Sequence, residues 1–363
     1  MAAGTTIKQL LGLKPTKFDW QATESAPINY PMRIIGGSLG YHDDSGSLYV
    51  PTGSSIDHGW GTGRSSHITG PTLKPLPKAL TITFFSFTEN QFYRGRFDLP
   101  YERILKMFQD GYESPRRKNR GDIITYNAAV VGVAPGGAVV VWLKGMDKTT
   151  EVFFGQAEKF EGKWSSLTSA THITREQYIQ EVIQESLSPM TASGPDKNSP
   201  QTAAALAALK KNGVPFGLWN TYLTRYAWQP LFTGIELEDR LISDVKYFNG
   251  ERDYLYYPLK PEIAAATRAV PRELHFSGGI PGAKPKSVKL FFNEAEILAA
   301  FQKLGTQNLP LKLEMRRDPE RQAFFGPGKS AGVVDGANGF SIWLSNGKDA
   351  IELKRTEIKV YGA

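Results

Sequence analysis

The side chains best suited to catalysis lie in one long loop, residues 43–75. It holds carboxylates, hydroxyls and imidazoles, namely Asp43, Asp44, Ser54, Ser55, Asp57, His58 and His67. A serine, a histidine and an aspartate can form a nucleophilic triad, in which the histidine takes the proton of the serine hydroxyl. The loop has no G-x-S-x-G turn to aim a serine. The pattern therefore indicates a surface loop that makes contacts and not an active site.

Two further kinds of site are disfavoured in the same loop. The run from Gly59 to Ser65 lacks both the G-x-G-x-x-G dinucleotide fingerprint and the G-K-[ST] of a P-loop. Asp57, His58 and His67 lack the helical spacing typical of metal ligands, and the chain has 0 cysteines. We therefore expect no catalytic residue, no bound metal and no cofactor.

Three groups of residues are candidates for binding another protein. In the loop, Trp60 is predicted to be an exposed aromatic tip flanked by His58 and Arg64, because these residue types are favoured at binding hot spots. The second group is basic, and it is either a solvated loop or a docking patch for an acidic protein or for anionic headgroups: Arg116, Arg117 and Lys118. The third is either a packing stripe or an interface: Trp219, Tyr222 and Arg225.

The elements that carry these residues recur along the chain, at offsets between 193 and 208 residues. The paired landmarks are Trp20 and Trp228, Tyr41 and Tyr247, Pro77 and Pro271, Phe108 and Phe301, and Trp142 and Trp343. Since the landmarks keep their order, we expect a diverged internal duplication. The two tryptophans of the last pair are predicted to occupy equivalent buried strand positions.

Local signals place the helices. Asp98 and Asn293 are predicted N-caps of one helix in each half, near 99–110 and 294–304. Between the halves, Thr174-x-x-Gln177 predicts a helix over 174–187, and Ser199-Pro200 predicts one that ends at Gly213.

The predicted fold is α+β and β-rich, with two lobes that are each a mainly antiparallel sheet with one helix. The domains are an N-terminal β-rich repeat (13–165), a helical connector (166–225) and a C-terminal β-rich repeat (226–363).

Composition narrows the class of protein. Of 363 residues, 40% are hydrophobic and 22% are charged, which is typical of a globular chain and not of a disordered one. The net charge of +7 is too dilute for a nucleic-acid-binding stripe, although it favours an acidic partner. No apolar run is long enough for a membrane span, and the N-terminus shows no leader.

Several segments resemble a known family: FDWQATESAP, YPMRIIGGSLGY, PLPKALTITFFSFTENQFYRGRFDLPYERILKMFQDGY, VVGVAPGGAVVVWLKG and GVPFGLWNTYLTRYAWQPLF. The resemblance is to a Gram-negative family of uncharacterised predicted lipoproteins that are encoded beside type VI secretion phospholipase effectors. It covers nearly the full chain, from Trp20 to Tyr361. These motifs are structural and carry no known active site.

The resemblance implies a function and a location. We expect an immunity protein, not an enzyme, that binds a cognate secreted lipase toxin and occludes its active site or lid. It implies a periplasmic lipoprotein, although this chain has no cysteine to carry the lipid. The alternative is an envelope hydrolase or sugar-binding lipoprotein that uses the 43–75 loop.

Overall fold

The structure is a computed structural model that describes residues 14–65, 68–115, 121–169, 172–238, 241–279, 286–306, 309–317 and 340–361. The chain divides into two compact units, and the main boundary falls between Trp219 and Asn220. Residues 166–219, most of the predicted connector, belong to the first unit.

Short strands dominate the first unit. They are β1 (Lys17–Phe18), β2 (Gln21–Ser25), β3 (Met32–Tyr41), β4 (Ser47–Tyr49), β5 (Lys74–Pro75), β6 (Pro77–Ser86), β7 (Gln91–Asp98), β8 (Tyr112–Glu113), β9 (Ile123–Ile124), β10 (Ala128–Ala134), β11 (Ala138–Lys144), β12 (Thr149–Gln156), β13 (Glu158–Phe160), β14 (Met190–Thr191) and β15 (Gly194–Pro195). The helices are α1 (Tyr101–Asp110), α2 (Arg175–Ser186), α3 (Pro200–Asn212) and, at the boundary, α4 (Leu218–Thr221).

The second unit has the same character. Its strands are β16 (Tyr226–Thr233), β17 (Glu236–Leu237), β18 (Leu241–Tyr247), β19 (Arg252–Tyr256), β20 (Thr267–Arg268), β21 (Pro271–Gly279), β22 (Lys286–Phe291), β23 (Leu311–Arg317), β24 (Phe340–Ser345), β25 (Ala350–Glu352) and β26 (Glu357–Tyr361). Its helices are α5 (Pro261–Ala264) and α6 (Glu294–Gly305). The described residues contain no helix that is long and apolar enough to cross a membrane.

Both units pair their strands in the same order. In the first, β2 runs parallel to β10, and β11 and β12 follow antiparallel. In the second, β16 runs parallel to β23, and β24 and β25 follow antiparallel. A five-stranded antiparallel set accompanies each, β13-β7-β6-β3-β4 in the first unit and β26-β22-β21-β18-β19 in the second. The fold is thus α+β and β-rich, as predicted, with mainly antiparallel sheets.

Matching side-chain contacts accompany the matching strand order. The indole nitrogen of Trp20 donates to the carbonyl of Pro75 at 3.2 Å, and that of Trp228 donates to the carbonyl of Ala269 at 2.9 Å. Each acceptor lies two residues before the proline that begins β6 or β21. These contacts support the predicted duplication.

The aromatic neighbours of these two tryptophans also correspond. Trp20 meets Tyr41 edge-on, and Trp228 meets Tyr247 in the same way, with both pairs of ring centroids 6.4 Å apart. In the residue pair two positions earlier, Phe18 packs on Phe108 of α1 and Tyr226 packs on Phe301 of α6. Each of these two helices is therefore packed against an aromatic side chain that lies two residues before the tryptophan of its unit.

Most helix signals are confirmed. The Thr174–Gln177 capping box forms with both of its hydrogen bonds, and Ser199 caps α3. Asn293 accepts from the backbone N–H of Glu296 at 3.1 Å. The predicted N-cap at Asp98 is wrong: this residue ends β7, and α1 begins after Pro100 without a side-chain cap.

The prediction of equal burial for Trp142 and Trp343 is also wrong. Register places them at corresponding positions, since Trp142 faces Val130 and Trp343 faces Glu314. Trp142 is completely buried, whereas Trp343 is half-buried under the guanidinium of Arg316, 5.1 Å from its ring. In the first unit a loop covers this face of the sheet, as described below.

Removing one indole N–H should destabilise either unit. Trp20→Phe and Trp228→Phe each leave a buried carbonyl without its donor, and we expect each to lower the free energy of unfolding by about 1–3 kcal/mol. Urea denaturation followed by circular dichroism measures this loss. Trp343→Phe is the control and should lower the free energy of unfolding by less, since Trp343 is half-buried and its indole N–H donates to the hydroxyl of Ser341. Equal losses for all three variants would show that the two indole–carbonyl hydrogen bonds do not contribute more to stability than the bond to Ser341.

Candidate functional site

The long 43–75 loop folds back onto the first unit. Ile56 forms an antiparallel bridge with Met32 of β3, with backbone hydrogen bonds of 2.8 and 3.0 Å. The amide of Gly59 donates to the carbonyl of Ala26, and the amide of Arg64 donates to the carbonyl of Glu24. Backbone pairing therefore fixes the part of the loop that carries its aromatic and charged side chains.

The prediction that Trp60 is an exposed tip is wrong. Trp60 is only 6% exposed, and its ring packs edge-on against Trp142 with centroids 4.9 Å apart. Trp219 lies 6.4 Å from the same ring. Gly132 makes room for this packing, since a Cβ there would lie 2.4 Å from Trp142 and 3.1 Å from Trp60. An indole that loses its contact with water in this way stabilises the fold and has no surface to offer a partner.

His58 and Arg64 stay at the surface, at the edge of a groove of about 700 Å³ in the first unit. One wall of the groove is the loop, and the other is α2 with the following segment. The lining residues are Pro31, Arg33, Gly53, Ser54, Ser55, Asp57, His58, Arg64, Tyr178, Glu181, Val182, Glu185, Ser186, Ser188, Met190 and Pro195.

Arg33 forms much of the inner surface. Its guanidinium donates to the carbonyl of Leu167 and to Oγ of Ser55, each at 2.9 Å. The same guanidinium lies 5.4 Å from the ring centroid of Phe87 and 5.6 Å from that of Tyr178. These contacts hold a cation in one orientation at the base of the groove.

The opposite wall is acidic. Glu181 and Glu185 are one turn apart on α2, and both are exposed. Glu185 pairs with Lys197 at 3.4 Å. Met190 extends this rim with a side chain that is 77% exposed. The groove thus offers a basic wall, an acidic wall and an apolar rim, which suits a protein segment more than a small apolar molecule.

His58 is held toward its neutral form. Partial burial and the Arg64 guanidinium lower the pKa of His58, against an opposing effect from the carboxylates of Asp57 and Glu24. Its Nδ1 lies 3.8 Å from Oδ1 of Asp57. The balance leaves an imidazole that can accept a hydrogen bond at neutral pH.

The geometry does not form the Ser-His-Asp relay considered for the loop. Within the described residues, His58 has no hydrogen bond to a serine hydroxyl, and Ser55 Oγ is occupied by Arg33. Asp43 accepts from Ser45, and Asp44 pairs with Lys78 at 2.8 Å. His67 lies outside the described residues.

Two G-x-S-x-G sequences elsewhere in the chain do not supply an active-site elbow in the described structure. The first, Gly36 to Gly40, lies inside the extended strand β3, where no strand-to-helix turn exposes Ser38. The second, Gly328 to Gly332, lies outside the described residues. In the described part of the chain, no three His, Asp or Glu side chains lie close enough together to hold a metal ion.

The other predicted binding residues lie elsewhere. Trp219 and Tyr222 are buried, so packing accounts for both. Tyr222 stacks on Phe248 at 5.6 Å, and Arg225 pairs with the buried Glu251 at 2.8 Å. The basic residues Arg116, Arg117 and Lys118 lie outside the described residues.

Sequence reasoning missed Arg33 and the α2 wall. A lone arginine within the apolar run Met32–Ile35 was a usable signal, because a charge is seldom placed in a strand without a partner. The acidic wall had a weaker signal, two glutamates spaced i, i+4 on a helix whose other face is apolar.

The fold and the groove define a β-rich unit with a cleft of mixed polarity, and comparison with known proteins places the chain in a family. The chain belongs to the DUF2931 family, described as a protein of unknown function, which matches residues 4–217. That match ends two residues before the unit boundary at Trp219, so it spans the first unit with its groove. No curated protein and no solved structure matches the chain.

Trp60 should matter for stability. Trp60→Ala removes a buried indole from the Trp142 face, and we expect it to lower the free energy of unfolding by about 3–5 kcal/mol. Chemical denaturation followed by tryptophan fluorescence tests this. The control is His58→Ala in the same loop, with an expected change of about 0.5 kcal/mol or less. If Trp60→Ala were as stable as the unaltered chain, the loop would not be packed on the sheet.

The charge balance around His58 predicts its titration. We expect its pKa to lie below the ordinary value of about 6.5, to rise in Arg64→Gln and to fall further in Asp57→Asn. Because the folded state binds this proton less readily than the unfolded chain, His58 reduces stability as the pH falls below about 6.5. Two-dimensional NMR of the imidazole carbons gives the pKa values. A lower pKa in Arg64→Gln would contradict the assigned field.

Proposed function

We propose that this chain is an immunity protein that binds a cognate type VI secretion phospholipase and neutralises it by covering its active site or lid. The observation that carries the proposal is the groove of about 700 Å³ between the 53–64 part of the loop and α2. The sequence resemblance supplies the class of partner. The groove supplies a surface of the size and mixed polarity that protein segments occupy.

The groove is suited to inhibition by binding. Its walls rest on a strand, a helix and a loop that is pinned by backbone pairing and by Trp60, so little order has to be gained when a partner binds. Tyr178 and Arg33 lie at its base as a stacked aromatic and cation, the residue types most often found at interface hot spots. Exposed charges at the rim add selectivity between partners.

The groove alone is smaller than a complete inhibitory interface. Tight complexes bury about 1,600 Å² over both partners. We propose that the toxin inserts one segment into the groove and contacts the surrounding surface. The basic residues Arg116, Arg117 and Lys118 belong to the proposal as a patch that raises the association rate with an acidic toxin. A periplasmic location, with a lipid anchor in the full-length form, follows from the same resemblance and is proposed with it.

Inhibition of a lipase is the direct test. Mixed in equimolar amounts with its cognate effector, the purified chain should abolish phospholipid hydrolysis, and surface plasmon resonance should give a dissociation constant in the nM range or tighter. Met190→Asp replaces an exposed apolar side chain on the groove rim with a negative charge and should weaken binding by about tenfold or more. The matched control is Met146→Asp, the same change at an exposed position that does not line the groove.

Two outcomes would overturn the proposal. One is full lipase activity in the presence of saturating protein. The other is hydrolysis of ester or phospholipid substrates by the chain alone that is lost in Ser55→Ala or His58→Ala, because that result would make the loop an active site.

A further inference from the structure

Two arginines converge on one serine at the base of the groove. Arg33 donates to Oγ of Ser55 at 2.9 Å, and Arg64 donates from its Nη1 to the backbone carbonyl of the same residue. Two guanidinium groups that share one small residue repel each other, since both remain charged at any physiological pH. A negatively charged group placed between them would relieve that repulsion.

Neither arginine has a carboxylate partner among the described residues. The acidic side chains near the groove contact other groups or stand on the opposite wall: Asp57 lies beside His58, Glu185 pairs with Lys197, and Glu24 accepts from the hydroxyl of Ser65, while Glu181 is on α2. The acceptors that Arg33 and Arg64 do have are two carbonyls and one hydroxyl, all neutral. Both guanidinium groups therefore have N–H donors left for a carboxylate of a ligand.

The two cations are also ready to bind. Arg33 is fixed by packing over the neighbouring rings of Phe87 and Tyr178 and by its hydrogen bond to the carbonyl of Leu167. A guanidinium has five N–H donors, and these hydrogen bonds use two on Arg33 and one on Arg64. Beside them the groove is open, because a Cβ built on Gly53 would meet no atom within 4 Å.

We propose that Arg33 and Arg64 form a carboxylate-binding subsite that takes an acidic side chain of the partner protein. The proposal rests on the function proposed above and specifies one feature of the partner, an aspartate or glutamate on the segment that enters the groove. The planar fork of each arginine matches the two oxygens of a carboxylate, and such charge-assisted hydrogen bonds are stronger than neutral ones. The acidic wall formed by Glu181 and Glu185 orients that segment by repelling a second carboxylate on its other side.

A short acidic peptide tests the subsite without the toxin. Binding of a fluorescein-labelled peptide of serine and glycine with one central glutamate to the full chain is measured by fluorescence anisotropy at constant ionic strength, with the same peptide carrying glutamine at that position as the uncharged probe. We expect saturable binding of the glutamate peptide only. Arg33→Gln and Arg64→Gln should each weaken it by about fivefold or more, because each removes one charge-assisted contact. Arg96→Gln, an exposed arginine of β7 away from the groove, should leave the affinity within about twofold.

Arg33→Gln also removes the packing of the guanidinium on the rings of Phe87 and Tyr178, so the folding of this variant is checked by circular dichroism. Arg64→Gln is the decisive variant, since Arg64 is exposed. Equal loss of binding in Arg96→Gln and Arg64→Gln would overturn the subsite, because the attraction would then be general. Binding of inorganic phosphate, measured by isothermal titration calorimetry, without binding of the peptide would also overturn it and assign the site to phosphate.

The two proposals fail in distinguishable ways. If the glutamate peptide binds through Arg33 and Arg64 but no lipase effector is inhibited, the subsite stands and the immunity function falls. If the effector is bound and inhibited equally by unaltered protein and by Arg64→Gln, the immunity function stands and the carboxylate subsite falls.

Discussion

The packing of Trp60 against Trp142 is the contact on which the organisation of the first unit depends. It draws the long loop onto the outer face of a sheet whose other face already belongs to the core. Ser55, His58 and Arg64 are carried with it, so the loop becomes one wall of the groove. Because the anchor is buried and the flanking charges are not, the same segment stabilises the fold at Trp60 and leaves His58 and Arg64 exposed on either side of it.

The second unit shows what the same strand order gives without that loop. The connection between β19 and β20 is short and contains α5, whereas the connection between β4 and β5 runs from residue 50 to residue 73. Trp343, at the position that corresponds to Trp142, is consequently half-buried and covered by Arg316. The family match to residues 4–217 coincides with the unit that has the groove. The groove of the first unit therefore depends on its long loop and not on the strand order that the two units share.

The groove is electrostatically divided. Arg33, Arg64 and a largely neutral His58 line one side, and Glu181 and Glu185 line the other. The buried Nε of Arg33 has no hydrogen-bond partner, and its charge is balanced by no carboxylate in the described structure. A protein rarely leaves a cation in this state at no cost to its stability. The unpaired guanidinium of Arg33 therefore lowers the stability of the free protein.

The fold class, the order of the paired landmarks and most helix boundaries follow from the amino-acid sequence. They depend on interactions between residues close in the chain: the capping box at Thr174 and the N-cap at Asn293 act over a few residues, and Trp20 and Trp228 each lie at or just before a strand. Tertiary structure alone decided the site. Trp60 was expected at the surface because glycines flank it, but those glycines allow the chain to pack on Trp142, which lies 82 positions later in the chain. Arg33, Ser55 and Tyr178 meet for the same reason: side-chain contacts between distant segments depend on how the sheets and α2 pack, and no periodicity encodes them.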